Sequence, residues 1–188
     1  MKWWTPTRRS AVLTVAAAGL VVTSYLFDRR IPLLSLVDLG FHELGHMLAI
    51  PLGRTVHFLA GSFAQIAVPV GLAAYFAWLR SDRAAAGLMG AWAATSIRDV
   101  AVYVADAPYQ RLPLIGGTHD WAWLLGSRWH VIDRADDLAG FFTALGLLVG
   151  IAAIGLAASP FLGPKQDTSL TPENIVVHPL FPGDWERT

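Results

Sequence analysis

Long apolar runs separated by short charged connections dominate the first 158 positions of the chain. Stretches of about 20 mostly apolar residues, the length a helix needs to cross about 30 Å of hydrocarbon, lie at 10–27, 31–52, 56–79, 84–107 and 138–158. The connections Asp28-Arg29-Arg30, Gly53-Arg54-Thr55 and Arg80-Ser81-Asp82-Arg83 are short, which sets successive helices side by side as antiparallel neighbours. The pattern predicts an all-α fold, a polytopic membrane helix bundle of about five transmembrane helices, with residues 1–158 as a single integral membrane domain. The first run follows Arg8 and Arg9 in the manner of a signal peptide, but it is longer than the usual hydrophobic region. Asp28-Arg29-Arg30 also makes a poor cleavage site, so an uncleaved helix is expected.

Residues 108–137 break the pattern. The stretch LPLIGGTHDWAWLLG is apolar but too short to span, and Gly116-Gly117 interrupts it, which predicts a short re-entrant or interfacial segment with Trp121, Trp123 and Trp129 in an interfacial belt. From Ser159 to Thr188 the chain becomes a polar, Pro-rich C-terminal tail with too little apolar periodicity for a core. Basic residues nearly balance on the two sides of a five-span arrangement, and only the basic N-terminus favours placing that end in the cytoplasm.

Composition narrows the chemistry. Of 188 residues, 54% are hydrophobic and 15% charged, so the bilayer is the natural solvent and the membrane an expected partner. The 14 basic and 14 acidic residues cancel without a basic cluster, which argues against nucleic acid as a partner. With no cysteine there is no disulfide and no thiolate site, leaving His, Asp and Glu to hold any metal.

Within the second run the chain reads Asp38-Leu39-Gly40-Phe41-His42-Glu43-Leu44-Gly45-His46. Two histidines four apart lie one turn above the other on a helix and can aim at one cation, while Glu43 is angled toward a water on that cation. This is the HExxH arrangement of zinc hydrolases, and ionisable groups at membrane depth carry an insertion cost that calls for a function. The alternative is a hydrogen-bonded His–Glu set that only fixes helix packing. A catalytic zinc needs a third protein ligand. Asp38, His57, Asp99, Asp106, His119, Asp120, His130 and Asp133 are available. Asp120 is preferred because Gly116-Gly117 permits close backbone approach, and His119 is the alternative. Asp38, one turn before His42, is expected to accept an imidazole N–H rather than ligate. Arg98 and Asp99, in the middle of the fourth run, are expected to face an interior cavity with separate partners, since adjacent helical positions diverge by about 100°.

This arrangement resembles the site-2 protease family of intramembrane zinc metalloproteases, and most closely its small bacterial members without accessory domains. The resemblance covers residues 31–125. It implies one zinc ion on His42, His46 and Asp120, Glu43 as the base that activates water, and a transmembrane or membrane-proximal peptide as substrate. It also implies a multi-pass protein of the bacterial inner membrane. Gly61-Ser62-Phe63-Ala64-Gln65 with Pro69 is similar to the family's region after the HExxH helix, where the Gln65 amide would meet an extended peptide. The chain departs from the family where Trp121, not Gly, follows Asp120. A binding-only pseudoprotease or metal-binding membrane protein, and less so a metal or proton transporter, are the competing functions.

Overall fold

The computed structural model describes residues 5–115 and 117–162. Of the tail expected from Ser159, all but its first four residues therefore lies outside the described residues. Six helices, and no strand, are formed by the described residues. They are α1 (Pro6–Tyr25), α2 (Pro32–Ala49), α3 (Arg54–Ala74), α4 (Arg83–Asp106), the short α5 (Asp120–Ala122) and α6 (Ala135–Ala158).

Local chemistry sets several of the helix starts. Thr5 accepts the Arg8 N–H at 3.3 Å ahead of Pro6, and Pro32 opens α2, where its missing N–H costs nothing. Asp82 caps α4 by accepting the Ala85 N–H at 3.0 Å. Gly53, at φ +87°, supplies the left-handed turn that joins α2 to α3. After α4 the Asp106 carboxylate accepts the N–H groups of Arg111 and Leu112, each at 3.0 Å, and turns the chain back toward the bundle. Both α3 and α5 end in wider π turns, over Tyr75–Leu79 and Trp123–Arg128.

Three stretches, Pro32–Leu52, Arg54–Leu79 and Ile132–Phe161, are long and apolar enough to cross a membrane. The long helices α1 and α4 coincide with the other two expected runs but fall short of that apolarity. For α4 the reason is packing. It is the central helix, covered by α6, α1 and α3, and thirteen of its residues are buried, most of them Ala. A helix wrapped by protein needs small side chains for close approach rather than lipid-facing bulk. A Cβ on Gly87 of α4 would stand 2.5 Å from the Ala153 carbonyl oxygen of α6, so the two backbones nearly touch. By contrast α2 lies at the outside, packed mainly on α3, and exposes Leu33, Leu36, Met47 and Leu48.

The tryptophans divide. Trp129 is exposed as an interfacial residue would be, but Trp121 is only 5% exposed and belongs to the core with Phe58, Val100, Val104 and Leu124. Its indole N–H finds Ser62 Oγ at 3.0 Å, which allows a ring with a polar edge to be buried.

Candidate metal centre

One stripe of α2, comprising Asp38, His42, Gly45 and Ala49, is buried at the spacing of a helix face. The glycine inside the HExxH stretch has a packing role. A Cβ on Gly45 would lie 2.3 Å from the Ala60 carbonyl oxygen, so α2 and α3 meet there without side chains between them. Gly61, on α3, faces the two motif imidazoles. A Cβ there would fall 2.5 Å from His46 Nε2 and 2.6 Å from His42 Nε2.

The imidazoles converge on one carboxylate oxygen contributed by a distant part of the chain. His42 Nε2 lies 3.0 Å and His46 Nε2 3.1 Å from Asp120 Oδ2, and among the described residues these are the three whose ligand atoms group closely enough to hold one ion. The surrounding hydrogen bonds fix which ring nitrogen carries the proton. His46 Nδ1 lies 2.7 Å from the His57 carbonyl oxygen, which can only accept. Gln65 Nε2 donates to the Ser96 carbonyl at 3.3 Å, which turns Gln65 Oε1 toward His42 Nδ1 at 2.8 Å. Both Nδ1 atoms are therefore donors. In the neutral rings both Nε2 atoms present lone pairs to a carboxylate oxygen that also presents lone pairs. Positive charge is needed between them, either a further proton or a metal ion. The separations are close to the tetrahedral edge, about 3.3 Å, generated by zinc bonds of about 2.0–2.2 Å. Imidazole and carboxylate are also ligands zinc accepts, so the residues present fit that ion.

Asp120 is placed from behind. Its N–H donates to the Tyr103 hydroxyl oxygen at 3.1 Å, and it opens α5, which His119 caps by accepting the Ala122 N–H on Nδ1 at 3.2 Å. His119, the alternative third ligand, is not brought to the cluster. It is fully buried, stacks on Tyr103 with centroids 4.2 Å apart, and its Nε2 sits 3.4 Å from Asp106 with no hydrogen-bond partner among the described residues. His57 adjoins His46 and returns its bond, donating from Nδ1 to the His46 carbonyl at 3.0 Å. His130 and Asp133 are exposed.

Other expected roles are redistributed. Asp38 accepts from Trp92 Nε1 at 2.8 Å and Ser96 Oγ at 3.0 Å, both on α4, and makes no bond to an imidazole. The imidazole support expected of Asp38 comes instead from Gln65, on the buried face of α3, where its amide is held between His42 and α4. Arg98 and Asp99 do take separate partners. Arg98 binds Asp28, while Asp99 accepts from Ser35 Oγ at 3.1 Å and pairs with Arg30 at 3.5 Å. Asp99 reaches the cavity beside Glu43, whereas Arg98 lines a separate one. Tyr103 was not singled out by sequence. Its spacing of three and seven from Val100 and Ser96 puts it on the α4 face turned toward the site, the one signal that marks it.

Two cavities of about 380 Å³ each meet at the site. One runs toward Arg30, Ser35, Asp38 and Asp99, and the other toward His57, Phe58 and Thr118. His42, Glu43, Tyr103, Leu114 and Ile115 line both, so Glu43 stands where they join. Its carboxylate makes no hydrogen bond to another described residue, which leaves it available to a molecule in the cavity. No family model, curated protein or solved structure matches this chain.

Proposed function

We propose that this protein is an intramembrane zinc metalloendopeptidase that cuts peptide bonds in transmembrane or membrane-proximal segments. The observation that carries the reading is the convergence of two imidazole Nε2 atoms, their Nδ1 protons committed elsewhere, on one Asp120 oxygen, beside a cavity-lining glutamate that makes no hydrogen bond to another described residue. A site that only fixed packing would have no need of that glutamate. In this reading α1, α4 and α6 join α2 and α3 as five spans of a multi-pass protein of the bacterial plasma membrane. The apolar side chains exposed on α2, α3 and α6 then face lipid.

His42, His46 and Asp120 hold the ion, with Gln65 and the His57 carbonyl orienting the two rings. When bound, zinc supplies a Lewis acid that polarises a carbonyl and makes water acidic near neutral pH. Glu43 accepts the proton that water loses on attacking the peptide carbon, then delivers it to the departing amide nitrogen. Because helical carbonyls are tied in hydrogen bonds, a transmembrane substrate unwinds locally before attack, and helix-breaking residues near its scissile bond favour cleavage. Water reaches Glu43 through the cavity that runs past Arg30, Ser35, Asp38 and Asp99.

The protein purified in detergent is assayed for bound zinc and for cleavage of a panel of transmembrane peptides, with Glu43→Gln and His46→Ala alongside. Glu43→Gln is expected to keep zinc and lose cleavage, and His46→Ala to lose both. Wild-type protein free of zinc, or cleavage unchanged in Glu43→Gln, overturns the proposal. Zinc without cleavage in the wild type points to a binding-only protein.

A further inference from the structure

We infer that the Tyr103 hydroxyl is a catalytic group that donates a hydrogen bond to the oxygen of the peptide carbonyl under attack. The inference rests on the endopeptidase reading and names a residue that neither the HExxH stretch nor the Asp120 segment contains. Three observations place the hydroxyl. Its oxygen is anchored by the Asp120 N–H at 3.1 Å, so it sits against the third residue of the cluster. The ring is clamped on two sides, stacked on His119 at 4.2 Å and edge-on to His42 at 5.8 Å, which removes its rotational freedom before substrate arrives. Tyr103 also lines both cavities at their junction, the stretch of wall it shares with Glu43.

The hydroxyl oxygen accepts the Asp120 N–H, and its proton lies within reach of the Asp120 carboxylate, the partner it exchanges for the substrate oxygen when a carbonyl enters the junction. A phenol that accepts a hydrogen bond donates its own more strongly. A carbonyl entering the junction therefore meets Glu43, which takes the proton of the attacking water, and Tyr103, which meets the growing negative charge. As the water oxygen bonds to the peptide carbon, the carbonyl π pair moves onto its oxygen. The Tyr103 O–H shortens its contact to that oxygen without giving up the proton. When the C–N bond breaks, the pair returns to re-form the carbonyl, and the nitrogen leaves with the proton from Glu43. The donor is rigid and held ready, the condition under which such a hydrogen bond lowers the barrier most. The Tyr103 hydrogen bond is made in full only to the tetrahedral species, so it changes kcat more than KM.

Tyr103→Phe removes the hydroxyl and keeps the ring that stacks on His119. In detergent, with wild type and Glu43→Gln in parallel, bound zinc, kcat and KM on a cleaved transmembrane peptide, and affinity for a phosphinate analogue of that peptide are measured. Tyr103→Phe is expected to keep its zinc and its KM while kcat falls by about 100-fold or more. Phosphinate affinity is expected to fall with kcat, and affinity of the uncleaved peptide for the Glu43→Gln background to stay constant whether or not Tyr103→Phe is added. Loss of zinc, with cleavage restored by excess zinc, makes Tyr103 a support for Asp120 and overturns the assignment. Equal kcat in Tyr103→Phe and wild type overturns it as well and leaves the endopeptidase reading standing. A wild type with neither zinc nor cleavage takes both down together.

Discussion

The two halves of the bundle are held together by opposite means. Where α4 meets α1 and α6 the contact is made by Ala17, Val21, Ala91, Ala153 and Ala157, with Gly87 pressed against the backbone of α6. Beneath the candidate metal site the core is instead Phe58, Val100, Trp121, Leu124 and Leu125, large side chains from α3, α4, α5 and the π turn that follows it. The first half gains dispersion from backbones in close approach, the device that suits helices without a hydrophobic force between them. The second half uses bulk to support a polar cluster in which one group is directed by another: Gln65 by Ser96, His42 by Gln65, Asp120 by Tyr103. The difference teaches that shape specifies the scaffold while hydrogen-bond direction specifies the site. Gly61 and Gly87 make that contrast testable, because each is a glycine under steric pressure but from different neighbours.

The largest effect is expected at Gly61. A methyl group there meets the Nε2 atoms of both histidines, which cannot swing away without leaving Gln65 and the His57 carbonyl. Gly61→Ala should lower zinc affinity by about 100-fold, the upper end of what misdirected ligands cost, with the thermal unfolding of the metal-free protein little changed. Competition with a zinc chelator measures the first quantity and circular dichroism in detergent the second. Normal zinc binding in Gly61→Ala would break the contrast on the site side.

Gly87→Ala should do the reverse. Its methyl group meets the Ala153 carbonyl oxygen and the Ala157 nitrogen, both at 2.5 Å and both backbone, so α4 and α6 must separate. Overpacking of this kind costs about 1–3 kcal/mol, read as a lower midpoint in a mixed-micelle denaturation series. Zinc bound per folded molecule should not change. If zinc falls in step with stability, the halves are one cooperative unit and the division drawn here is wrong.

How far the molecule was legible follows the same divide. Helix positions were readable because apolar runs, Pro6, Pro32 and the Asp82 cap act locally. The pair His42 and His46 was readable because four residues on one helix fix their own geometry, and Asp120 because two glycines and an acid inside an apolar segment are unusual. The support that Gln65 gives His42, and the place of Tyr103, depend on how α3 and α4 lie against α2, which no local pattern encodes. Asp38 was assigned the wrong neighbour for that reason: its position on α2 is close to His42, but Trp92 and Ser96 reach its carboxylate from α4. The run at 84–107 was readable as a helix but not as the central one of the bundle, since burial by protein and burial by lipid ask for different residues.

The smallest effect sharpens the scaffold side. Asp82, at the start of α4, receives the Arg9 guanidinium of α1 at 2.6 Å as well as the Ala85 N–H. The Arg9 hydrogen bond, which outweighs the opposing effect of partial burial, holds the Asp82 carboxyl below its ordinary range. A lowered value in the folded state means stability that is present above the ordinary carboxylate range and lost as pH falls through the folded value. Arg9 is 39% exposed, so solvent screens the pair and its contribution stays below about 1 kcal/mol. Asp82→Asn isolates the charge, because Asn caps a helix as well as Asp. The comparison is made in metal-free protein, since acid also strips zinc from imidazoles. Wild type should exceed Asp82→Asn by a small constant margin from pH 8 down to about 5, and the margin should close below about pH 4 as the carboxyl protonates. Salt at about 1 M should shrink it too, because the Debye length there is about 3 Å. A margin that ignores both pH and salt would mean that α1 is fixed to α4 by small-residue packing alone, with the surface charges as passengers.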